Sequence, residues 1–231
     1  IRLVTVPVSG TSAATVFVLC RVGSRYETPN LAGASHFIEH LMFKGTARRP
    51  TTLDISRELD GIGAEYNAMT SKDWTGYYVK ASSRHLPLAL DVLSDMLWNS
   101  KFDETEYARE KGVIIEEINM YDDNPSMKLD SLLEEVMFPG STLGRDIAGT
   151  RESITRMKRG ELISYRDRFY IPKNSVVVVA GNIDGAARRV KKFFETLSGR
   201  DRQSPPEYKK FKSFGKFNSL RCRIQYKKTE Q

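Results

Sequence analysis

The sequence predicts an α+β fold, a mainly antiparallel sheet with helices packed on one face. Three observations lead there. Short β-branched runs such as "ATVFVLCRVG" and "SVVVVAG" are strand-sized and bounded by turn residues. Segments with apolar residues at helical spacing lie between them, and His85–Asn99 is the clearest. The polar turn Ser71–Asp73 splits "AEYNAMTSKDWTGYYVKAS" into a hairpin, which pairs its strands antiparallel.

Taken in order, "IRLVTVPV" and "ATVFVLCRVG" read as strands. A loop holding Gly, Pro and Asn follows, then Leu31–Phe43 at helical spacing. Thr51 caps a short helix that stops at Gly61, and the hairpin comes next. The helix over His85–Asn99 gathers Leu86, Ala89, Leu90, Leu93, Met96 and Leu97 on one side. Asp103 caps a long helix reaching about Tyr121, and Pro125 opens another to about Phe138. "PGSTLGRDIAGT" is a glycine-rich loop. A helix over about Lys158–Phe169, a strand Val176–Ala180 and a last helix over about Gly185–Leu197 complete the body. From Gly199 the chain turns polar, basic and Pro/Gly-punctuated, as linkers are, before "SLRCRIQYKKTEQ" alternates like one further strand. One domain over residues 1–197 is therefore expected, with residues 198–231 as an appendage.

Composition narrows the function. The 231 residues, 40% hydrophobic, suffice for one good core. No apolar run approaches the roughly 18 residues of a transmembrane helix, so no membrane partner is expected. The net charge of +7 is uneven: residues 186–231 hold 14 Lys+Arg against 4 Asp+Glu, and residues 1–185 hold 22 against 25. The basic character belongs to the tail, which matches no recognisable nucleic-acid module and reads as a solvated linker, so no nucleic-acid partner is expected. Cys20 and Cys222 lie far apart in strand-like stretches and are expected to be reduced.

The chemistry concentrates in "HFIEHLMFKGT". His36 and His40, four apart on a helix, face the same way and can bind one cation. Zinc accepts neutral imidazole and tolerates three protein ligands with one open position. Glu39 lies about 60° around the axis from His36, placed to take a proton from water rather than to ligate. The order H-x-x-E-H is the inverted zinc motif and needs a third ligand elsewhere. The long helix offers Glu106, Glu110, Glu116 and Glu117. At about 100° per residue, Glu110 and Glu117 share one stripe with Ile114 and Tyr121, and Glu116 points away. A carboxylate on an apolar stripe needs a partner, and a metal would serve. Solvated carboxylates paired with Arg109 or Lys111 fit the same register.

"HFIEHLMFKGT", "NAMTSKDWTGYY", "EKGVIIEEINMYDDNP" and "LGRDIAGT" together resemble the pitrilysin (insulinase) family of zinc peptidases, from about Val22 to Asp184. Its bacterial and processing-peptidase members are the nearest. The family signature places about 76 residues between the second histidine and a glutamate, and 76 residues lie between His40 and Glu117. The resemblance implies that His36, His40 and Glu117 hold one Zn2+, that Glu39 is the general base, and that Glu110 is an acid positioning a ligand or the water. It implies that "NAMTS" binds substrate by strand addition, with Asn67 and Ala68 contacting the peptide and Phe43 near the scissile bond. It gives "LGRDIAGT" and His85 no chemistry.

The implied activity is that of a zinc endopeptidase acting on extended or unfolded peptides. The alternative is a non-catalytic scaffold subunit, which typically loses a ligand or the base; all four residues are present here. Members pair this domain with a second of similar fold, so residues 198–231 are expected to lead into it. The expected partners are a peptide substrate and a C-terminal homologous half or partner subunit, with a homodimer as the alternative. The expected compartment is a bacterial cytoplasm, with the mitochondrial matrix as the alternative. The acidic body and the acid-rich segment Asp103–Asp123 also suggest a preference for cationic peptides.

Overall fold

The computed structural model describes residues 1–194, 207 and 222–226. Strands β1 (Arg2–Pro7), β2 (Ala13–Cys20), β3 (Glu65–Thr70), β4 (Thr75–Ser82) and β5 (Ser175–Gly181) form one sheet, in the order β1-β5-β2-β4-β3. Three of its four pairings are antiparallel and β1–β5 is parallel. Which strands become neighbours across more than 160 residues is a long-range outcome that alternation within each strand does not reveal.

The period-two pattern gives the sheet one dry face. Val16 and Val18 of β2 stand level with Val79 and Tyr77 of β4 and with Val179 and Val177 of β5. All six are buried. On the opposite face Phe17 meets Tyr78 and Trp74 edge-on. Gly76 makes room for it, since a Cβ there would lie 2.5 Å from the Phe17 ring.

Helices α1 (Ala34–Met42), α2 (Thr52–Asp60), α3 (Leu86–Asn99), α4 (Glu104–Asp123), α5 (Pro125–Met137), α6 (Arg151–Arg156), α7 (Arg159–Phe169) and α8 (Ala186–Phe194) complete the fold. The six apolar residues expected on one side of α3 are all buried, where that helix packs on β2 and β4. Asp103 caps α4, accepting the Thr105 amide at 2.9 Å and the Glu106 amide at 3.3 Å. Tyr107, Glu110 and Ile114 are the buried residues of α4, spaced as one stripe that faces α1. Phe37 of α1 stacks on Tyr107 with ring centroids 5.6 Å apart.

Three local expectations differ from the structure. The helix expected from Leu31 starts only at Ala34: Pro29–Leu31 forms a separate 3-10 turn, and Gly33 adopts a positive φ of 91°. A Cβ on Gly33 would lie 2.5 Å from the Ala148 carbonyl oxygen. Helix α6 follows the glycine-rich loop unannounced, because six residues are too few to show a period; its Thr150 cap is the signal that was there to read. Residues 222–226, expected to alternate as a strand, form none. These residues are exposed and pair with none of the described strands, and Arg223 instead meets Glu135 at 2.5 Å. The end of the last helix near Leu197 and nearly all of the expected linker lie outside the described residues. Cys20 is buried and Cys222 exposed, and both are free. No helix among the described residues is long and apolar enough to cross a membrane.

Candidate metal centre

Helix α1 is held at both ends. The amides of Gly33 and Ser35 donate to the two carboxylate oxygens of Glu27, each at 2.8 Å. Glu27 is buried, and that burial pushes its pKa up to about 7 against the pull of the two amides. Beyond the other end, Arg49 is buried and donates to Glu58, Asp91 and Asp95, and Thr46 donates to Asp95 at 2.6 Å. These bonds anchor the turn after α1 to α2 and α3.

Between these anchors, the Nε2 atoms of His36 and His40 lie 3.3 Å apart. Oε2 of Glu117, from α4, is 3.6 Å from each of them. Four ligands set tetrahedrally at the zinc distance of about 2.0–2.1 Å stand about 3.3–3.4 Å from one another. The three donor atoms are therefore spaced to hold one such ion. Burial, and then the neighbouring His40, push the pKa of His36 down to about 4. Its imidazole is neutral at ordinary pH, the form that ligates a metal.

Glu110, one heptad before Glu117, stands behind the centre. Its Oε2 is 3.0 Å from His40 Nδ1 and its Oε1 is 2.8 Å from Lys44 Nζ. Burial alone would raise its pKa, but the bonds from His40 and Lys44 outweigh burial and hold it below the carboxylate range. An ionised Glu110 accepts the Nδ1 proton of His40 and leaves Nε2 free to face Glu117. The structure thus separates the two glutamates that the helix register left equivalent, and Glu116 is exposed.

Glu39 lines a cavity of about 500 Å³ together with His36, Glu117, Tyr121 and Asp146. Burial raises its pKa, opposed by a hydrogen bond from the Thr70 hydroxyl. Thr70 ends β3, the free edge of the sheet. On that edge Asn67 is exposed and Ala68 buried, and the Ala68 amide donates to Asn67 Oδ1 at 2.8 Å. Phe43 lies apart from the cavity lining: it closes the end of α1, half-buried, with its ring 6.4 Å from Tyr77. His85 accepts from Arg84 at 3.0 Å just before α3 and joins no cluster.

Several neighbours of the site were not anticipated from the sequence. Thr70 was visible inside "NAMTS", and Lys44 continues the four-residue spacing of His36 and His40. Lys72 lies inside "NAMTSKDWTGYY" and Asp146 inside "LGRDIAGT", but the resemblance gives neither a role. Lys72 reaches the cavity from the hairpin turn and pairs with Glu134 at 2.6 Å. Asp146 comes from the glycine-rich loop and accepts from Ser131 at 2.8 Å.

Comparison with known proteins places this geometry in context. A sequence profile of the family described as insulinase, peptidase family M16, matches residues 2–151. The chain is 40% identical over 190 residues to YmxG, an uncharacterized zinc protease of Bacillus subtilis, covering 82% of this chain and 46% of that protein. It is 38% identical over 175 residues to the mitochondrial-processing peptidase subunit beta of Mus musculus, covering 76% of this chain and 36% of that protein. Among solved structures, a protease from Helicobacter pylori superposes with a TM-score of 0.85 at 27% identity, covering 90% of this chain and 50% of that one. The chain spans less than half the length of these two curated relatives.

Proposed function

The chain belongs to the insulinase family of peptidases, and from that premise we propose that it carries the zinc-binding half of an endopeptidase acting on extended or unfolded peptides. One observation carries the reading: His36 and His40 of α1 and Glu117 of the distant α4 bring three ligand atoms within 4.8 Å of one another.

In this reading His36, His40 and Glu117 hold one Zn2+. The ion supplies Lewis acidity, which polarises the scissile carbonyl and makes water acidic enough to attack near neutral pH. Glu39 accepts the proton of the attacking water and returns it to the leaving amine. Its burial favours that exchange by keeping its pKa above the ordinary carboxylate value. Glu110 keeps His40 in the ligating tautomer. The peptide adds as a strand along β3, where Asn67 swings aside and the Ala68 amide bonds to the substrate instead. Phe43 is assigned an apolar contact beside the scissile bond.

The curated relatives are about twice as long as the matched region. We therefore propose that the working enzyme includes a second, homologous half, and that residues 198–231 lead into it. A non-catalytic scaffold subunit is the competing reading. The presence of both histidines, the third ligand and the base in one cluster favours the peptidase.

Zinc content measured by X-ray fluorescence tests this directly. The wild-type chain should hold one zinc, His40→Ala and Glu117→Gln should hold almost none, and Glu116→Gln should match wild type. Loss of zinc from Glu116→Gln but not from Glu117→Gln would overturn the ligand assignment.

A further inference from the structure

We propose that Lys44 is a positioning residue of the metal centre: its ammonium holds the Glu110 carboxylate in the orientation that fixes His40 as a ligand. This rests on the zinc reading above and concerns a residue outside the cavity lining.

The geometry is a register of two helices. His36 and His40 share one stripe of α1, and Lys44, two residues past the helix end at Met42, extends that line. On α4 the facing stripe carries Glu110 and Glu117, seven apart. The stripes run antiparallel: His36 meets Glu117 at 3.6 Å, His40 meets both glutamates, and Lys44 meets Glu110 at 2.8 Å. The Glu110 side chain is only 3% exposed, so each carboxylate oxygen needs a partner within the protein. Among the described residues, its hydrogen-bond partners are His40 on one oxygen and Lys44 on the other. Without the ammonium, one oxygen of a buried anion is left unpaired, and the carboxylate gains reason to turn away from His40.

Two further features make this contact decisive. The Nδ1 atom of His36 is buried with no hydrogen-bond partner among the described residues, so of the two imidazoles only that of His40 has its Nδ1 held, by Glu110. Lys44 in turn is presented by a backbone fixed independently of Glu110. Its amide donates to the Leu41 carbonyl at 3.1 Å. Gly45 follows at φ 111°, where a Cβ would stand 2.3 Å from the Pro50 carbonyl oxygen. Thr46 and Arg49 then tie the turn to Asp95. The Lys44 stem thus leaves a fixed backbone, and its side chain, 23% exposed, ends on Glu110 Oε1.

The test is zinc affinity of the chain, by competition with a chelator, for wild type, Lys44→Met, Lys44→Arg, Glu110→Gln and the double variant Lys44→Met/Glu110→Gln. Lys44→Met should weaken zinc about 10-fold, the lower end of the range for outer partners of metal ligands. Lys44→Arg should restore most of the affinity. In the Glu110→Gln background Lys44→Met should add nothing further. The Nδ1–H resonance of His40 in nitrogen-edited NMR should weaken or shift in Lys44→Met, a change that a purely structural role would not produce. If Lys44→Met does not fold, Lys44→Gln replaces it with the same expectation. Zinc binding by Lys44→Met within twofold of wild type, or an equal loss in the Glu110→Gln background, would overturn the inference. A wild-type chain that binds no zinc would instead overturn the reading on which it rests.

Discussion

Thr70, the last residue of the edge strand β3, donates its hydroxyl to Oε2 of Glu39 on helix α1. The strand proposed to receive a peptide is therefore bonded to the residue proposed to move the proton. Substrate registration and base orientation share one contact.

That contact yields a graded expectation. Glu39→Gln should keep zinc and lose about 10²–10⁴ in kcat, as removal of a general base typically does. Thr70→Val should cost less, about tenfold, the low end of the roughly 1.5–3 kcal/mol that a hydrogen bond to a charged group contributes, because this one is only part-buried. Peptide hydrolysis at equal zinc occupancy measures both. A Glu39→Gln rate near wild type would remove this glutamate from the mechanism.

Glu27 predicts an unusual pH dependence of stability. Burial raises its pKa from 4.5 to about 7 in the folded protein, so the fold binds this proton more tightly than the unfolded chain does. Between those values unfolding releases the proton, and the contribution of Glu27 to stability declines as pH rises. Paired carboxylates such as Glu110 behave oppositely. The stability difference between Glu27→Gln and wild type should move in favour of the variant by about 1–2 kcal/mol from pH 5 to pH 7, one pKa unit being about 1.4 kcal/mol. Thermal melts of both proteins across that range give the answer, and parallel curves would dismiss it.

The cavity predicts a charge preference. Besides Glu39 and Glu117 it is lined by Asp130, Glu134 and Asp146, against one cation, Lys72, that is already paired with Glu134. The acids come from α5 and the glycine-rich loop as well as from the acid-rich helix read in the sequence. Basic peptides should show kcat/KM about tenfold above matched acidic ones at low salt, and the gap should narrow as salt screens it. Asp130→Asn should reduce the gap. Equal values for the two peptide classes at low salt would refute the preference.

The second half predicts a large difference in rate. In the proposed binding mode, strand addition along β3 would hold one side of a peptide, and the sheet edge would leave the other side open. Fixing reacting groups in a near-attack geometry can lower a barrier by roughly 7–11 kcal/mol. Residues 1–231 alone should thus bind zinc yet hydrolyse peptides weakly. Fusing a homologous second half after Gln231, or adding it in trans, should raise kcat/KM by orders of magnitude. One fluorogenic peptide assayed at equal zinc occupancy suffices, and equal values would show that this domain is complete without it.

Much of the site is legible because it is local. His36, Glu39 and His40 lie within about one helical turn, so periodicity alone sets them on neighbouring faces, whatever the helix packs against. The strands and the long helices are likewise written in spacing, caps and prolines, and the six apolar residues expected on the dry side of α3 are all buried, though the helix buries Val92, Ser94, Asp95 and Trp98 as well. Helix register also placed Glu110 and Glu117 on one stripe of α4, and family resemblance singled out Glu117. Which of the two reaches the imidazoles is a matter of where α4 lies along α1, and packing such as Phe37 on Tyr107 decides that. The same holds for the parallel β1–β5 pair, for Thr70 against Glu39, and for Lys44 against Glu110. Local periodicity specifies the direction in which a side chain leaves its own element; only the docking of one element on another specifies what it meets there.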